Sequence, residues 1–172
     1  NGTFDIGTHN SNLELKGDLT NNGTFSSSGE SITFSGPGAK SCPAISDPVL
    51  DVIVNKSSGG SITFEGSCSF DELSIIDGDV IITNNTINCD NTVTISDGSV
   101  LQIGTGIFDA DGVFNANTSG TIDFTGDGQL QLSSTVTSLG TLDDAQGKVV
   151  YDGSAAQVMA AGTYYDLQLD NS

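Results

Sequence analysis

Apolar residues in this chain fall at every second position in short runs: Leu13/Leu15, Ile32/Phe34, Val52/Val54, Leu73/Ile75, Val93/Ile95, Leu101/Ile103, Leu130/Leu132 and Leu167/Leu169. Alternation with period two marks a strand with one buried face, because successive side chains point to opposite sides. Clusters of Gly, Asn, Asp and Ser separate the runs, as turns require. Apolar spacing of i, i+3, i+4, i+7 never outlasts one turn. The longest helical candidate, residues 155–161, is bracketed by Gly153 and Gly162. The pattern predicts an all-β chain.

The runs belong to repeated phrases. Residues 23–38 read Gly-x-Phe, a polar loop, Ile-x-Phe and a Gly-rich turn, and residues 112–128 read the same with one residue more. Ser61-Ile-Thr-Phe64 echoes Ser31-Ile-Thr-Phe34, residues 165–172 line up with residues 50–57, and Asp77-Gly78 matches Asp97-Gly98. Taking Leu13, Ile32, Ile62, Val80, Val100, Ile122 and Val149 as equivalent coil starts gives spacings of 18 to 30 residues. Fixed-phrase repetition predicts units that stack because none buries its apolar face alone. Several strands of three to five residues per repeat suit a parallel β-helix, or β-solenoid, of about seven irregular coils. A β-sandwich, which needs more even strands joined by hairpins, is the alternative. Nothing resembles a linker, so residues 1–172 form one repeat array. No segment approaches the ~20 apolar residues of a membrane span. The chain opens at Asn1 without Met or signal peptide, and is expected to be a processed chain or a segment of a longer one.

Charge narrows the partners. Against 22 acidic residues stand Lys16, Lys40, Lys56 and Lys148 with no Arg, a net charge of −18. Such a surface repels phosphate backbones and anionic membranes, which argues against nucleic-acid or lipid partners. The acids mostly read as a solvated surface. Where they gather near corners, Asp109, Asp111, Asp123 and Asp127 are the calcium candidates, since hard carboxylate oxygens suit that ion. No complete calcium-loop motif accompanies them.

Cys42, Cys68 and Cys89 form no Cys-x-x-Cys pair, which argues against zinc. Cys68 and Cys89 are 21 residues apart, close to one coil, so a disulfide between them is expected, with Cys42–Cys68 as the alternative.

Catalytic chemistry finds no foothold in the pattern. The single His, His9, sits in a turn, no Lys falls in phase with an Asp set, and no Gly-x-Ser-x-Gly elbow or Ser/His/Asp arrangement occurs. Acid pairs able to serve an inverting glycosidase arise by chance in so acidic a chain. There is no Trp, and Phe25, Phe34, Phe64, Phe114 and Phe124 occupy inward alternating positions. Of Tyr164 and Tyr165, one must face outward.

Residues 17–25 (Gly-Asp-Leu-Thr-Asn-Asn-Gly-Thr-Phe), 32–36 (Ile-Thr-Phe-Ser-Gly) and 161–172 (Ala-Gly-Thr-Tyr-Tyr-Asp-Leu-Gln-Leu-Asp-Asn-Ser) resemble repeat segments of large secreted bacterial surface proteins. The resemblance is to the Bacteroidota type and to filamentous-haemagglutinin-like adhesins. It implies an extracellular or cell-surface location and a stalk or adhesive role; it transfers no site residue. Because residues 1–4 and 167–172 read as repeat phrase rather than cap, end-to-end stacking with copies or with flanking repeats is expected, in a surface stalk or fibre. A ligand-binding solenoid for glycan, calcium or ice is the alternative, with Thr92/Thr94 and Thr135/Thr137 as hints of an outward ladder. A polysaccharide-active enzyme ranks third.

Overall fold

A computed structural model describes residues 2–7, 12–45, 47, 50–143 and 145–170. It is a parallel β-solenoid of about eight turns, with no α-helix among the described residues. Residues 155–161, the helical candidate, are irregular. Each turn crosses three faces, which we call A, B and C.

Face A carries β2 (Leu13–Leu15), β4 (Ser31–Ser35), β6 (Asp51–Asn55), β9 (Glu72–Asp77) and β12 (Val93–Ile95). It ends in the first part of β15 (Phe114–Phe124), which is covered by β17 (Val136–Leu142). Face B carries β5 (Lys40–Cys42), β7 (Ser61–Phe64), β10 (Asp79–Ile82), β13 (Val100–Ile103) and the second part of β15. Because β15 runs through the corner unbroken, faces A and B count as one 11-stranded sheet. Face C begins with β1 (Thr3–Asp5) and β3 (Thr24–Ser26) and resumes with β8 (Cys68–Phe70), β11 (Thr86–Cys89), β14 (Ile107–Ala110), β16 (Gln129–Leu132), β18 (Lys148–Tyr151) and β19 (Asp166–Leu169). Every strand pairing among the described residues is parallel, each strand lying on its equivalent one turn earlier.

Register corrects the coil phase read from the sequence. On face A, Leu13, Ile32, Val52, Leu73, Val93, Phe114 and Val136 stack in one row, at intervals of 19, 20, 21, 20, 21 and 22 residues. The wider spread of 18 to 30 arose from mixing faces: Leu13 and Ile32 lie on A, Ile62, Val80 and Ile122 on B, and Val149 on C. The repeated phrase is therefore strand-corner-strand, and it slides by one face: residues 23–38 run from C to A, residues 112–128 from A to B. Asp77-Gly78 and Asp97-Gly98 do occupy the same A–B corner one turn apart. Both glycines take positive φ (90° and 81°), a conformation that other L residues resist.

The core is the inward row of each face. Phe34 meets Phe64 edge-on at 6.3 Å, and Phe64 lies 5.9 Å from Phe70, so one aromatic file crosses from A through B to C. Corners are as tight as the strands: a Cβ at Gly112 would overlap the Asn91 carbonyl one turn below. Lys56 is fully buried at an A–B corner, its Nζ donating to the Ser35 carbonyl (3.0 Å). Burial holds its pKa below the usual lysine value, with Lys40 adding to the effect.

The face C ladder breaks once. Between β3 and β8 the chain supplies Ile45 and Asp47 in place of a strand; Ser69 N–H donates to the Ile45 carbonyl (3.0 Å) and Asp47 N–H to the Ser69 carbonyl (2.9 Å). On the other side, Ser27 N–H is received by the Asp47 carboxylate (2.5 Å) rather than by backbone. Pro43 precedes the segment, and proline contributes no N–H to a ladder. For this reason β1 and β3 form a separate two-stranded sheet.

Candidate functional site

The four aspartates singled out for calcium do not converge. Asp123 lies on the outer side of face B, where its Oδ2 accepts from Gln102 Nε2 (2.9 Å), and Asp127 lies at the following corner. Asp109 and Asp111 belong to face C and its corner with A. Among the described residues no group of three or more His, Cys, Asp or Glu is arranged to hold a metal ion.

What the fold does gather is a row that spacing alone concealed. The N–H of Asp90, Asp111, Ser133, Asp152 and Asp170 donates in turn to the carbonyl of Phe70, Cys89, Ala110, Leu132 and Tyr151 (2.8–3.2 Å). These five residues therefore stack along the C–A corner at one rung each, about 4.8 Å apart. Four of them are acids. Ser133 relieves the row by donating its hydroxyl to Asp152 Oδ1 (2.9 Å), and Asn88 Nδ2 donates to Asp90 Oδ1 (2.5 Å). Asp109 stands beside the row on β14, between Asn88 and Gln131, with a buried Oδ1 that has no hydrogen-bond partner. Burial first, then the carboxylates of Asp111, Asp152 and Asp90, push its pKa up to about 6. Irregular corner lengths hid Asp90 and Asp152 from the sequence reading.

The cysteines are all buried and free. Pairing of Cys68 with Cys89 is corrected by register: Cys68 stands opposite Ile87 and Cys89 opposite Phe70. The local period is 19 residues where the cysteines are 21 apart, which leaves them two positions out of phase. Cys89 Sγ instead donates to the Asp71 carbonyl (3.1 Å). Cys42 and Cys68 flank the B–C corner, unbonded, with both sulfurs near the Pro43 carbonyl. Burial raises all three thiol pKa values above the ordinary range.

The outward row of face A reads Glu14, Thr33, Ile53, Ser74, Thr94, Asn115 and Ser138, a mixed row that Ile53 interrupts. His9 lies outside the described residues, as do Asn1 and Ser172.

The two ends of the solenoid differ. At the N-terminal end, Phe4, Leu13, Leu15, Leu19 and Phe25 line an open apolar cleft, and Phe4 is 54% exposed. At the C-terminal end, residues 152–165 leave face C and fold back on the last turns. Gln157 Nε2 donates to the Leu132 and Ser134 carbonyls (2.7 and 2.8 Å), and its Oε1 receives the Gly153 N–H (2.8 Å). The buried Tyr151 hydroxyl accepts from Ala160 N–H (3.0 Å) and meets the Tyr164 hydroxyl (3.3 Å), which donates to the Ala160 carbonyl (2.6 Å). Tyr164 is the tucked member of the tyrosine pair and Tyr165 the exposed one. Beyond this cap, β19 still presents Leu169, 62% exposed, at an inward position above Tyr151.

No family model, no curated protein and no solved structure matches the chain.

Proposed function

We propose that this chain is a non-catalytic structural or adhesive module of an extracellular or bacterial surface protein, stacking end to end in a stalk or fibre. The observation that carries the reading is the pair of terminal strands. Both β1 and β19 belong to face C, each is paired with a strand on one side only among the described residues, and each carries an exposed apolar residue, Phe4 or Leu169. An open edge of this kind templates pairing with another strand. Solenoids that end in solution normally cover such edges with polar caps. Parallel addition of β1 of one unit to β19 of another, or of flanking repeats to either, continues face C and buries Phe4 and Leu169. The acidic flanks keep stacked units apart laterally at low salt.

Sedimentation and negative-stain electron microscopy over a concentration series, at low and high salt, test this. Thin filaments with an axial repeat of about 40 Å, eight turns at roughly 4.8 Å each, are expected. Phe4→Lys and Leu169→Lys should each abolish them. A wild-type chain that stays monomeric at high concentration and salt overturns end-to-end stacking.

Calcium binding is a second reading, favoured by the acid row and the partnerless Asp109 oxygen. Calcium that alters neither melting nor association removes it.

A further inference from the structure

We infer that Cys42 and Cys68 are a disulfide-forming pair that staples the turn beside the break in face C to the turn that follows it. Cys42 closes β5 at the end of face B, and Cys68 opens β8 at the start of face C one turn later. Both side chains point inward to the same corner and are buried. The Cys42 Sγ–H donates to the Pro43 carbonyl at 3.4 Å, and the Cys68 sulfur lies 3.8 Å from that same oxygen. The two sulfurs are therefore no more than about 7 Å apart. Rotation about χ1 moves a sulfur by up to about 3 Å, so two rotations cover the distance to a bond. The Cys68 sulfur also receives the Ile45 N–H (3.4 Å), which ties it to the strandless segment.

The position gives the bond its purpose. Ile45 and Asp47 lie where face C lacks a strand, and the Asp47 side chain stands in for backbone toward Ser27. A covalent link between the turn containing β5 and the turn containing β8 anchors that strandless segment to the intact side of the ladder. Bond formation joins the two sulfurs and releases two protons, and the two electrons pass to an external disulfide oxidant such as oxidised glutathione, which is reduced to two thiols. Burial keeps both groups protonated in the folded chain. The exchange therefore proceeds while the chain is folding and the thiolates are accessible. Cys89 is an internal control, one turn further on and held by the Asp71 carbonyl.

The chain unfolded in denaturant and refolded with a reduced/oxidised glutathione mixture should contain one disulfide. Alkylation under denaturing conditions without reductant, followed by peptide mapping, should find Cys42 linked to Cys68 and Cys89 alkylated. Reductant should lower the melting temperature of refolded wild type and of Cys89→Ser by several degrees, and leave Cys42→Ser and Cys68→Ser unmoved. Alkylation of all three thiols after refolding, or a link that includes Cys89, overturns the assignment. Because the oxidant is supplied in vitro, the outcome is independent of stacking and of location.

Discussion

The N-terminal and C-terminal ends solve the same problem in opposite ways. At the C-terminal end, polar side chains tie the returning chain down beneath the open strand β19: Gln157 satisfies three backbone groups, and Tyr151 with Tyr164 bonds the returning chain. In the N-terminal turns Phe4, Leu13, Leu15 and Leu19 line an open cleft, behind a ladder already interrupted at Ile45 and Asp47. In a solenoid each turn touches only its neighbours, so stability is a sum of local interfaces and the ends fray first. The contrast teaches that fraying here is set by the N-terminal turns, and that the cap protects the other end by hydrogen bonding as much as by apolar burial.

The largest expected effect comes from the aromatic file between the two ends. Phe64→Ala removes the ring between Phe34 and Phe70 and should cost about 3–5 kcal/mol in denaturant unfolding. Phe4→Ala, at the open end, should cost less than about 1 kcal/mol in the monomer, because half its surface is already in water. Equal losses for the two would break the claim that the ends are energetically peripheral.

Next come the cap bonds. Gln157→Ala leaves the Leu132 and Ser134 carbonyls and the Gly153 N–H without their partner, and should cost about 1–3 kcal/mol. Hydrogen exchange in residues 153–165 and in β18 should speed up, while that of β4 and β6 stays unchanged. Acceleration at the N-terminal turns as well would show that the two ends are coupled.

A smaller effect separates the middle from both ends. Asp109 has a folded pKa of about 6 against an ordinary 3.8, so its folded form holds a proton more tightly than its unfolded form. The stabilisation this brings is complete below about pH 4 and is lost as pH rises through 6. Asp109→Asn should therefore raise stability at pH 7, by about 1 kcal/mol once solvent screening is allowed for, and change little at pH 4. Melting curves at the two pH values check the sign. The smallest effect is expected of the exposed Lys16–Glu14 pair (3.7 Å): Lys16→Ala should leave the melting temperature unmoved.

Strand content was legible because period-two alternation is a property of single strands: Ile32/Phe34, Val52/Val54 and Leu101/Ile103 all face inward as read. Coil phase was not, because three faces built from similar residues make Ser31-Ile-Thr-Phe34 on face A and Ser61-Ile-Thr-Phe64 on face B look equivalent. The same ambiguity put Cys89 opposite Cys68, when the 19-residue turn from Cys68 ends at Ile87. The aspartate row needed register as well, since its members are defined by the carbonyl each one reaches. The buried Lys56 left no signal in the pattern; its partner is a backbone carbonyl, a group that every residue supplies.

The parallel ladder also has a mechanical consequence. With its first strand at one pole and its last at the other, tension between the termini acts along the axis and peels turns one at a time from the weaker pole. Each turn of some 20 residues that detaches pays out about 70 Å of extended chain while the rod shortens by only one rung of about 4.8 Å. A solenoid built this way yields length under load and rewinds against an intact template when the load falls.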